Sequence, residues 1–320
     1  MPDKLSVSVK NLIKRYKKET INAVDDISFD VKEGEFFALL GPNGAGKTTT
    51  ISILTTTLSK TSGQVIVAGH DLDTQIKEVR KNIGIIFQNP SLDLHLTAEQ
   101  NIRFHVSLYG LYPYNFFYKF MPLDYRKKIE ELAAIFGLQG SMFKKLATFS
   151  GGMKRKLEIM RSLMHQPKIM FLDEPTAGLD PVSRRDLWRY LQTMRKETNM
   201  TIFLTTHYLD EAEGADRVCI ITKGKIKMID TPFNIKQGLT GLTLVLDATD
   251  REALRTELNL LKIGFIEQGD FVIKLNDTKD VQKIISGIKT PLSAVHINEL
   301  SLEKAYIDLI GKDLEKEVQL

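Results

Sequence analysis

The stretch Gly41-Pro42-Asn43-Gly44-Ala45-Gly46-Lys47-Thr48-Thr49 constrains this chain more than any other. It fits the pattern G-x-x-x-x-G-K-[ST] directly after the strand-like run Glu35-Phe36-Phe37-Ala38-Leu39-Leu40. Glycines let the backbone curl until successive N–H groups point inward at phosphate oxygens, and the helix that follows aims the positive end of its dipole at the same anion. The pattern therefore predicts a nucleoside triphosphate site formed by Gly41, Pro42, Asn43, Gly44, Ala45, Gly46, Lys47, Thr48 and Thr49. Lys47 is expected at the β- and γ-phosphates and Thr48 at Mg²⁺.

Periodicity around this loop alternates strands with helices. Ser6–Val9 and Ile27–Val31 precede it, and a helix from about Thr48 to Leu58 follows. Then come a strand near Gln64–Ala68, a helix near Thr74–Arg80 and a buried strand Ile83–Phe87. From about residue 97 to 164 the pattern turns helical, opening on Thr97-Ala98-Glu99-Gln100, a capping box in which Thr97 and Gln100 satisfy each other's backbone donors. Strand Lys168–Leu172, a helix capped by Asp180 with Pro181 in its first turn, strand Thr201–Thr206 and a short helix stopped near Gly214 resume the alternation. Such alternation implies an α/β fold on a parallel sheet, with ligands at the carboxyl ends of the strands. Beyond about Gly238, strands Leu242–Leu246, Phe265–Glu267, Phe271–Leu275 and Ser293–Ile297 and helices Arg251–Leu261, Asp280–Ile288 and Ser301–Ile310 predict a small βαββαβ-like domain. The expected division is a nucleotide-binding domain over 1–237 and an accessory α+β domain over 238–320.

A phosphate loop needs a carboxylate on a neighbouring strand to hold Mg²⁺, and Ile169-Met170-Phe171-Leu172-Asp173-Glu174 supplies two. Asp173 is expected at the metal, directly or through water, and Glu174 one step further out as general base toward the attacking water. The 44 basic and 40 acidic residues are spread along the chain, so the net charge of +4 contains no block that argues for nucleic acid. The single cysteine, Cys219, excludes an intrachain disulfide framework and reads as a core thiol within Val218-Cys219-Ile220-Ile221. The histidines His70, His95, His105, His165 and His296 show no metal-ligand spacing. With no long apolar run and no apolar core in the opening MPDKLSVSVK, the expected site of action is the cytoplasm.

Taken in order, these residues resemble the nucleotide-binding subunit of an ATP-binding-cassette (ABC) transporter over roughly residues 5–235. In that resemblance Tyr16 matches the aromatic that stacks on adenine, Gly41–Thr49 the Walker A loop, and Gln88 the glutamine that senses the γ-phosphate and reaches Mg²⁺. Ser150-Gly151-Gly152 match the signature, Asp173-Glu174 Walker B, Ala177-Gly178-Leu179-Asp180 the loop that follows, and His207 the switch histidine. The family implies the P-loop NTPase fold: a mixed-sheet ATPase core, an antiparallel β subdomain and a helical subdomain. It also implies ATP with Mg²⁺ as ligands. The N–H groups exposed where Ser150, Gly151 and Gly152 begin a helix form a second anion site. In the family that site closes on the γ-phosphate held by the other subunit, so ATP drives head-to-tail dimerisation with a second copy or a homologous ATPase subunit, and hydrolysis releases it. Integral membrane permease subunits, which in the family carry the cargo specificity, are the other implied partners. The subunit is expected at the cytoplasmic face of the membrane.

Phe149 and Met153 stand where the commonest signature has leucine and glutamine. Met153-Lys154-Arg155-Lys156-Leu157-Glu158, Pro90-Ser91-Leu92-Asp93 and Pro175-Thr176-Ala177-Gly178-Leu179-Asp180-Pro181 instead resemble the branch of drug, lipid and polysaccharide exporters. The leading function is therefore ATP-driven export through separate membrane chains. A soluble ABC ATPase acting on nucleic acid or ribosomes, and an importer ATPase whose C-terminal domain senses a ligand, are the alternatives. Tyr109, Tyr112, Tyr114, Phe116, Phe117, Tyr118 and Phe120 crowd one segment of the helical block. They fit either a docking surface for a membrane subunit or a satellite core.

Overall fold

The computed structural model describes residues 4–88, 91–177, 179–239, 242–275, 279–298, 302–303 and 306–307. These residues fall into two compact units divided between Ile229 and Asp230, a few residues ahead of the expected boundary.

In chain order the first unit comprises β1 (Leu5–Lys14), β2 (Val24–Lys32), β3 (Phe36–Leu40), α1 (Lys47–Leu54), β4 (Ser62–Val67), β5 (His70–Asp71), α2 (Ile76–Asn82) and β6 (Ile83–Ile86). It continues through α3 (Ala98–Leu108), α4 (Leu123–Phe136), α5 (Gly151–Leu163), β7 (Ile169–Asp173), α6 (Pro181–Thr198), β8 (Thr201–Thr206), α7 (Leu209–Glu213) and β9 (Arg217–Thr222). β10 (Lys225–Asp230) closes it. Strands β2-β1-β4-β5 form one antiparallel sheet, and β10-β9-β3-β8-β7-β6 form a second, six-stranded one. In the second, β3 runs parallel to β8 and β9, and β7 runs parallel to β6 and β8. β10 follows β9 through Lys223 and Gly224, both at positive φ, a two-residue connection that only an antiparallel hairpin permits. The sheet is thus mixed, and β3, β7 and β8 lie side by side at its centre, where their carboxyl ends carry the P-loop, Glu174 and His207.

One core joins the two sheets. Val7, Val9 and Leu12 of β1, Phe29 and Val31 of β2, Ile51, Ile53 and Leu54 of α1, and Phe171 and Phe203 pack together. Phe29 stacks on Phe37 at 5.5 Å, and Phe37 and Phe171 each meet Phe203 at 5.4 Å. Aromatic contacts of this kind add to area burial and fix the seam against which α1, the phosphate-loop helix, is set.

Several boundaries differ from the sequence expectation for local reasons. β1 runs on to Lys14 because an irregularity at Asn11 (φ 49°) is absorbed: its N–H donates to Ser28 Oγ at 2.8 Å and its amide to Asp26 at 2.9 Å. α1 stops at Leu54, not Leu58, where the Thr55 hydroxyl donates back to Ile51 O at 2.8 Å and Thr56 turns to φ 63°. The helical block is α3, α4 and α5 separated by loops. Gly110 and Pro113 end the helical pattern, and only a 3₁₀ turn, Tyr118–Phe120, lies between Tyr109 and Pro122. Strands β5 and β10 and the helix Pro232–Leu239 are additions to the expected elements, since their sequences carry no clear period.

The second unit begins with α8 (Pro232–Leu239), followed by β11 (Leu242–Ala248), α9 (Arg251–Leu260), β12 (Phe265–Gln268), β13 (Asp270–Leu275), α10 (Lys279–Gly287) and β14 (Leu292–Asn298). The strand order β12-β13-β11-β14, antiparallel throughout, is that of a ferredoxin-like βαββαβ unit. Leu244, Leu246, Leu254, Leu258, Phe271 and Ile273 form its core. Of the helix expected over Ser301–Ile310, residues 302–303 and 306–307 are described and are helical, and the others lie outside the described residues.

Candidate functional site

β3 is buried along its whole length, so the chain must leave the sheet at Leu40 in a fixed direction. It enters a loop that ends at Gly46, the N-cap of α1, at φ 104°. A Cβ there would lie 2.5 Å from Ala23 O, so both the backbone conformation and the space require glycine. Asn43 through Thr49 wall one cleft together with Ala23, Gln88 and Glu174. Ala23 is an addition to the expected set; it lies in the β1–β2 connection and carries no motif.

Glu174 is where the site converges. Its Oε1 lies 3.0 Å from His207 Nδ1 and 3.6 Å from Lys47 Nζ, and its Oε2 accepts from Gln88 Nε2 at 3.2 Å. Four residues that the sequence separates by up to 160 positions thus meet at one carboxylate. Glu174 itself sits just past β7 at φ 46°, a left-handed backbone that side-chain-bearing residues rarely adopt, with its N–H tied to Thr205 O at 3.0 Å. Lys47 also donates to Gly41 O at 2.8 Å and Pro42 O at 3.2 Å. Burial pulls the Lys47 ammonium below its ordinary range, opposed by the charges of Glu174 and Asp173. Asp173 is buried and accepts from Thr205 Oγ1 at 2.5 Å; burial pushes its carboxyl upward, opposed by the Thr205 hydrogen bond, the Lys47 ammonium and the nearby Thr48 hydroxyl. Thr48 and Asp173, from different elements, are therefore neighbours.

Tyr16 is half exposed at the rim, its hydroxyl 3.3 Å from Thr49 Oγ1 and its ring under the Lys14 ammonium. Ser150, Gly151 and Gly152 stand elsewhere: no described hydrogen bond or ion pair joins them to the Lys47–Glu174 cluster. Ser150 is the N-cap of α5 and accepts from Met153 N at 3.2 Å. Gly152 packs against the first turn of α6: a Cβ there would stand 2.9 Å from Ser183 Oγ, which would have to rotate away. Asp180 caps that same turn, accepting from Val182 and Ser183 N at 3.0 Å each. Asp180 thus stands beside the signature, and no described hydrogen bond or ion pair joins it to the Lys47–Glu174 cluster. Gly178 and Pro90 lie outside the described residues. Phe149 is buried, which agrees with its reading as an apolar position, and Cys219 is a fully buried thiol.

Sequence reasoning missed two residues that hold the loops. Glu211 of α7, buried, accepts from Thr206 Oγ1 at 2.6 Å and from Thr176 Oγ1, so it ties the strand before His207 to the segment after Glu174. Arg155 of α5, also buried, donates to Phe87 O and Pro175 O, both at 2.6 Å, and to Glu158 at 2.9 Å. Both are charged residues at buried turns of amphipathic helices. That mismatch is the only signal the sequence offers, because their partners are mostly main-chain carbonyls or hydroxyls far away in sequence.

The aromatic segment divides. Tyr112 and Tyr118 meet the buried Tyr125 edge-on at 5.4 and 6.3 Å, as a satellite core, while Tyr109 stacks on His165 at 4.8 Å with its outer edge exposed. Phe116, Phe117 and Phe120 are 74%, 55% and 61% exposed. They are nevertheless held: the buried Arg103, paired with Glu99 at 3.1 Å, donates to Asn115 O at 3.0 Å and Phe116 O at 2.7 Å.

Comparison with known proteins agrees with this geometry. The ABC transporter family matches residues 24–177. The chain is 33% identical over 322 residues to the linearmycin resistance ATP-binding protein LnrL of Bacillus subtilis, covering 96% of this chain and 99% of the relative. It is 36% identical over 312 residues to the bacitracin transport ATP-binding protein BcrA of Bacillus licheniformis, covering 95% and 97%. To the doxorubicin resistance ATP-binding protein DrrA of Mycobacterium tuberculosis it is 39% identical over 235 residues, 73% and 68% of the two chains. Among solved structures, a dimeric post-hydrolysis state of the ATP-binding cassette MJ0796 bound to ADP and Pi matches with a TM-score of 0.63 at 26% identity, over 70% of this chain and 98% of that one. A phosphate loop on β3, acids at the end of β7, a histidine after β8 and relatives matched along nearly their whole length lead to one conclusion: this chain belongs to the ABC transporter family, as one of its ATP-hydrolysing, ATP-binding proteins.

Proposed function

We propose that this protein powers export through separate membrane subunits at the cytoplasmic face of the membrane, by an ATP-driven head-to-tail dimer with a second copy or a homologous subunit. The convergence of Lys47, Gln88 and His207 on Glu174 is the observation that carries the hydrolytic half of this reading. In it, Gly41–Thr49 cradle the phosphates, Tyr16 meets the adenine, and Lys47 neutralises the β- and γ-oxygens. Glu174 accepts a proton from the attacking water, and His207 and Gln88 hold that carboxylate in line with the γ-phosphate. Thr48 Oγ1, Asp173 and Gln88 Oε1 are all oxygen donors, the set a hard cation such as Mg²⁺ prefers, and the proximity of Thr48 to the buried Asp173 fits it. When bound, Mg²⁺ would supply charge neutralisation across the β- and γ-phosphates. The partner's Ser150, Gly151 and Gly152 complete each site from a helix start whose N–H groups suit an anion, with Asp180 shaping the adjacent turn.

The export half is supported by relatives named for resistance to linearmycin and doxorubicin and for bacitracin transport. No helix among the described residues is long and apolar enough to cross a membrane, and this reading assigns the membrane passage to other chains. In this reading the exposed Phe116, Phe117 and Phe120 dock on such a chain. Tagging the protein in its native cell and solubilising membranes in mild detergent is expected to recover a polytopic membrane protein; recovery of ribosomes, nucleic acid or soluble proteins alone overturns the export reading. Glu174→Gln is expected to bind ATP and dimerise while turnover drops by roughly two to three orders of magnitude, and brisk hydrolysis removes Glu174 from the role of base.

A further inference from the structure

Helix α5 begins at the signature, but its side chains act along the free edge of the six-stranded sheet. Among the described residues β6 is the outermost strand, paired with β7 alone, so the main-chain groups on its other side have no strand partner there. Residues of α5 and its C-terminal extension supply the missing donors at alternate carbonyls. His165 Nε2 meets Ile83 O at 2.8 Å, Ser162 Oγ donates to Ile85 O at 3.2 Å and Arg155 Nη1 donates to Phe87 O at 2.6 Å. Past Phe87 the grip continues on Ser91. Its N–H donates to Glu158 Oε1 at 2.9 Å, and Arg161 donates to its carbonyl at 2.8 Å and its hydroxyl at 2.6 Å. Gln88 stands between these two holds.

Arg155 alone also reaches the other catalytic strand end. Nε donates to Pro175 O at 2.6 Å and Nη2 lies 3.5 Å from Glu174 O, while Nη1 is shared with Glu158 Oε2 at 2.9 Å. A guanidinium has a rigid planar fork, so satisfying three carbonyls on two different segments fixes their separation; an ammonium on a flexible stem cannot do this. Both members of the Arg155–Glu158 pair are nearly fully buried, a costly arrangement that hydrogen bonds to every arm make tolerable. Five residues along the helix, roughly 7.5 Å at the α-helical rise, separate Arg155 from Ser150.

We propose that Arg155 is a positioning residue for hydrolysis, registering the Ser150 end of α5 against the strand ends that carry Gln88 and Glu174. Closure of one ATP site on Ser150 thereby sets the Glu174 carboxylate of the other. The coupling rests on the two-subunit reading above; the positioning of Gln88 and Glu174 within one chain does not.

The test compares wild type, Arg155→Gln and Arg155→Lys as full-length chains, with kcat, the Hill coefficient for ATP, and affinity for a fluorescent ATP analogue measured separately. Misplacing a catalytic group by about 1 Å can cost on the order of 100-fold, so Arg155→Gln is expected to lose roughly 10- to 100-fold in kcat with nucleotide affinity held within about threefold. The Hill coefficient should fall toward that of independent sites. Arg155→Lys keeps the charge and loses the fork, and should restore only part of the rate. If Arg155→Gln does not fold, Glu158→Gln, which keeps the side-chain shape and removes the anchoring charge, should give the same split at smaller amplitude. An unchanged kcat, or affinity and kcat falling together, overturns the role of Arg155. ATP-driven dimerisation of Glu174→Gln is scored by gel filtration; its absence overturns the two-subunit reading, and the kcat measurement still decides whether Arg155 positions Gln88 and Glu174 within one chain.

Discussion

Lys47, Glu99, Arg103, Arg155, Glu158, Asp173, Glu174 and Glu211 are between 2% and 8% exposed in the unit that ends at Ile229, whereas the buried side chains described beyond Asp230 are all apolar. In the C-terminal unit charge stays at the surface, as in Arg251 and Arg255 around Glu267, all more than a third exposed. Burying a charge raises the free energy of the fold unless partners compensate it, and breaking one buried pair leaves the other member stranded. The first unit compensates these charges with partners: Lys47 and Glu174 face each other in the cleft, while Arg103 with Glu99, Arg155 with Glu158, and Glu211 tie loops through main-chain carbonyls and hydroxyls. The C-terminal unit is built as an ordinary apolar core between a sheet and two helices, without a preorganised polar cluster among its described residues.

Three substitutions can break or sharpen that contrast. The largest effect is expected from Arg103→Met, which leaves the Glu99 carboxylate buried with only the Tyr125 hydroxyl, at 2.9 Å, as neighbour. Stability of the first unit should fall by about 3–5 kcal/mol in denaturant titrations, and a loss below about 1 kcal/mol would place this pair with surface ion pairs. Next comes Leu254→Ala in the C-terminal core, fully buried in the wild type. A loss of about 2–5 kcal/mol is expected, read by hydrogen exchange as protection lost in β11 and β13 while β3 and β7 keep theirs. Protection lost in both units would show that their stabilities are not separate. The smallest effect belongs to Arg255→Ala. Its pairing with Glu252 and Glu267 is exposed and screened, so neither unfolding midpoint should move measurably, and a clear shift would mean that the C-terminal unit relies on charge after all.

The same contrast explains what could be read in advance. Gly41–Thr49 and Asp173-Glu174 are contiguous, and the chemistry of a phosphate loop dictates their residue types, so they are legible from a few positions. The βαββαβ order of the C-terminal unit is legible because an apolar core leaves a period in the sequence. Arg155, Glu158 and Glu211 leave no such trace. Arg155 meets carbonyls of residues 68 and 20 positions away, and a carbonyl is present at every residue whatever its side chain. The aromatic segment is illegible for a different reason. With Gly110 and Pro113 interrupting any helical period, nothing in the sequence distinguishes the packed Tyr112 and Tyr118 from the exposed Phe116 and Phe117. What separates them is the placement of the loop by Arg103, again through main-chain carbonyls.

The left-handed backbone of Glu174 carries a last consequence. A residue with a side chain costs about 1 kcal/mol or more in that conformation, and glycine or asparagine tolerates it better. Relief of the backbone by Glu174→Gly would also remove the carboxylate on which Lys47, Gln88 and His207 converge, so durability and hydrolysis pull on this bend in opposite directions.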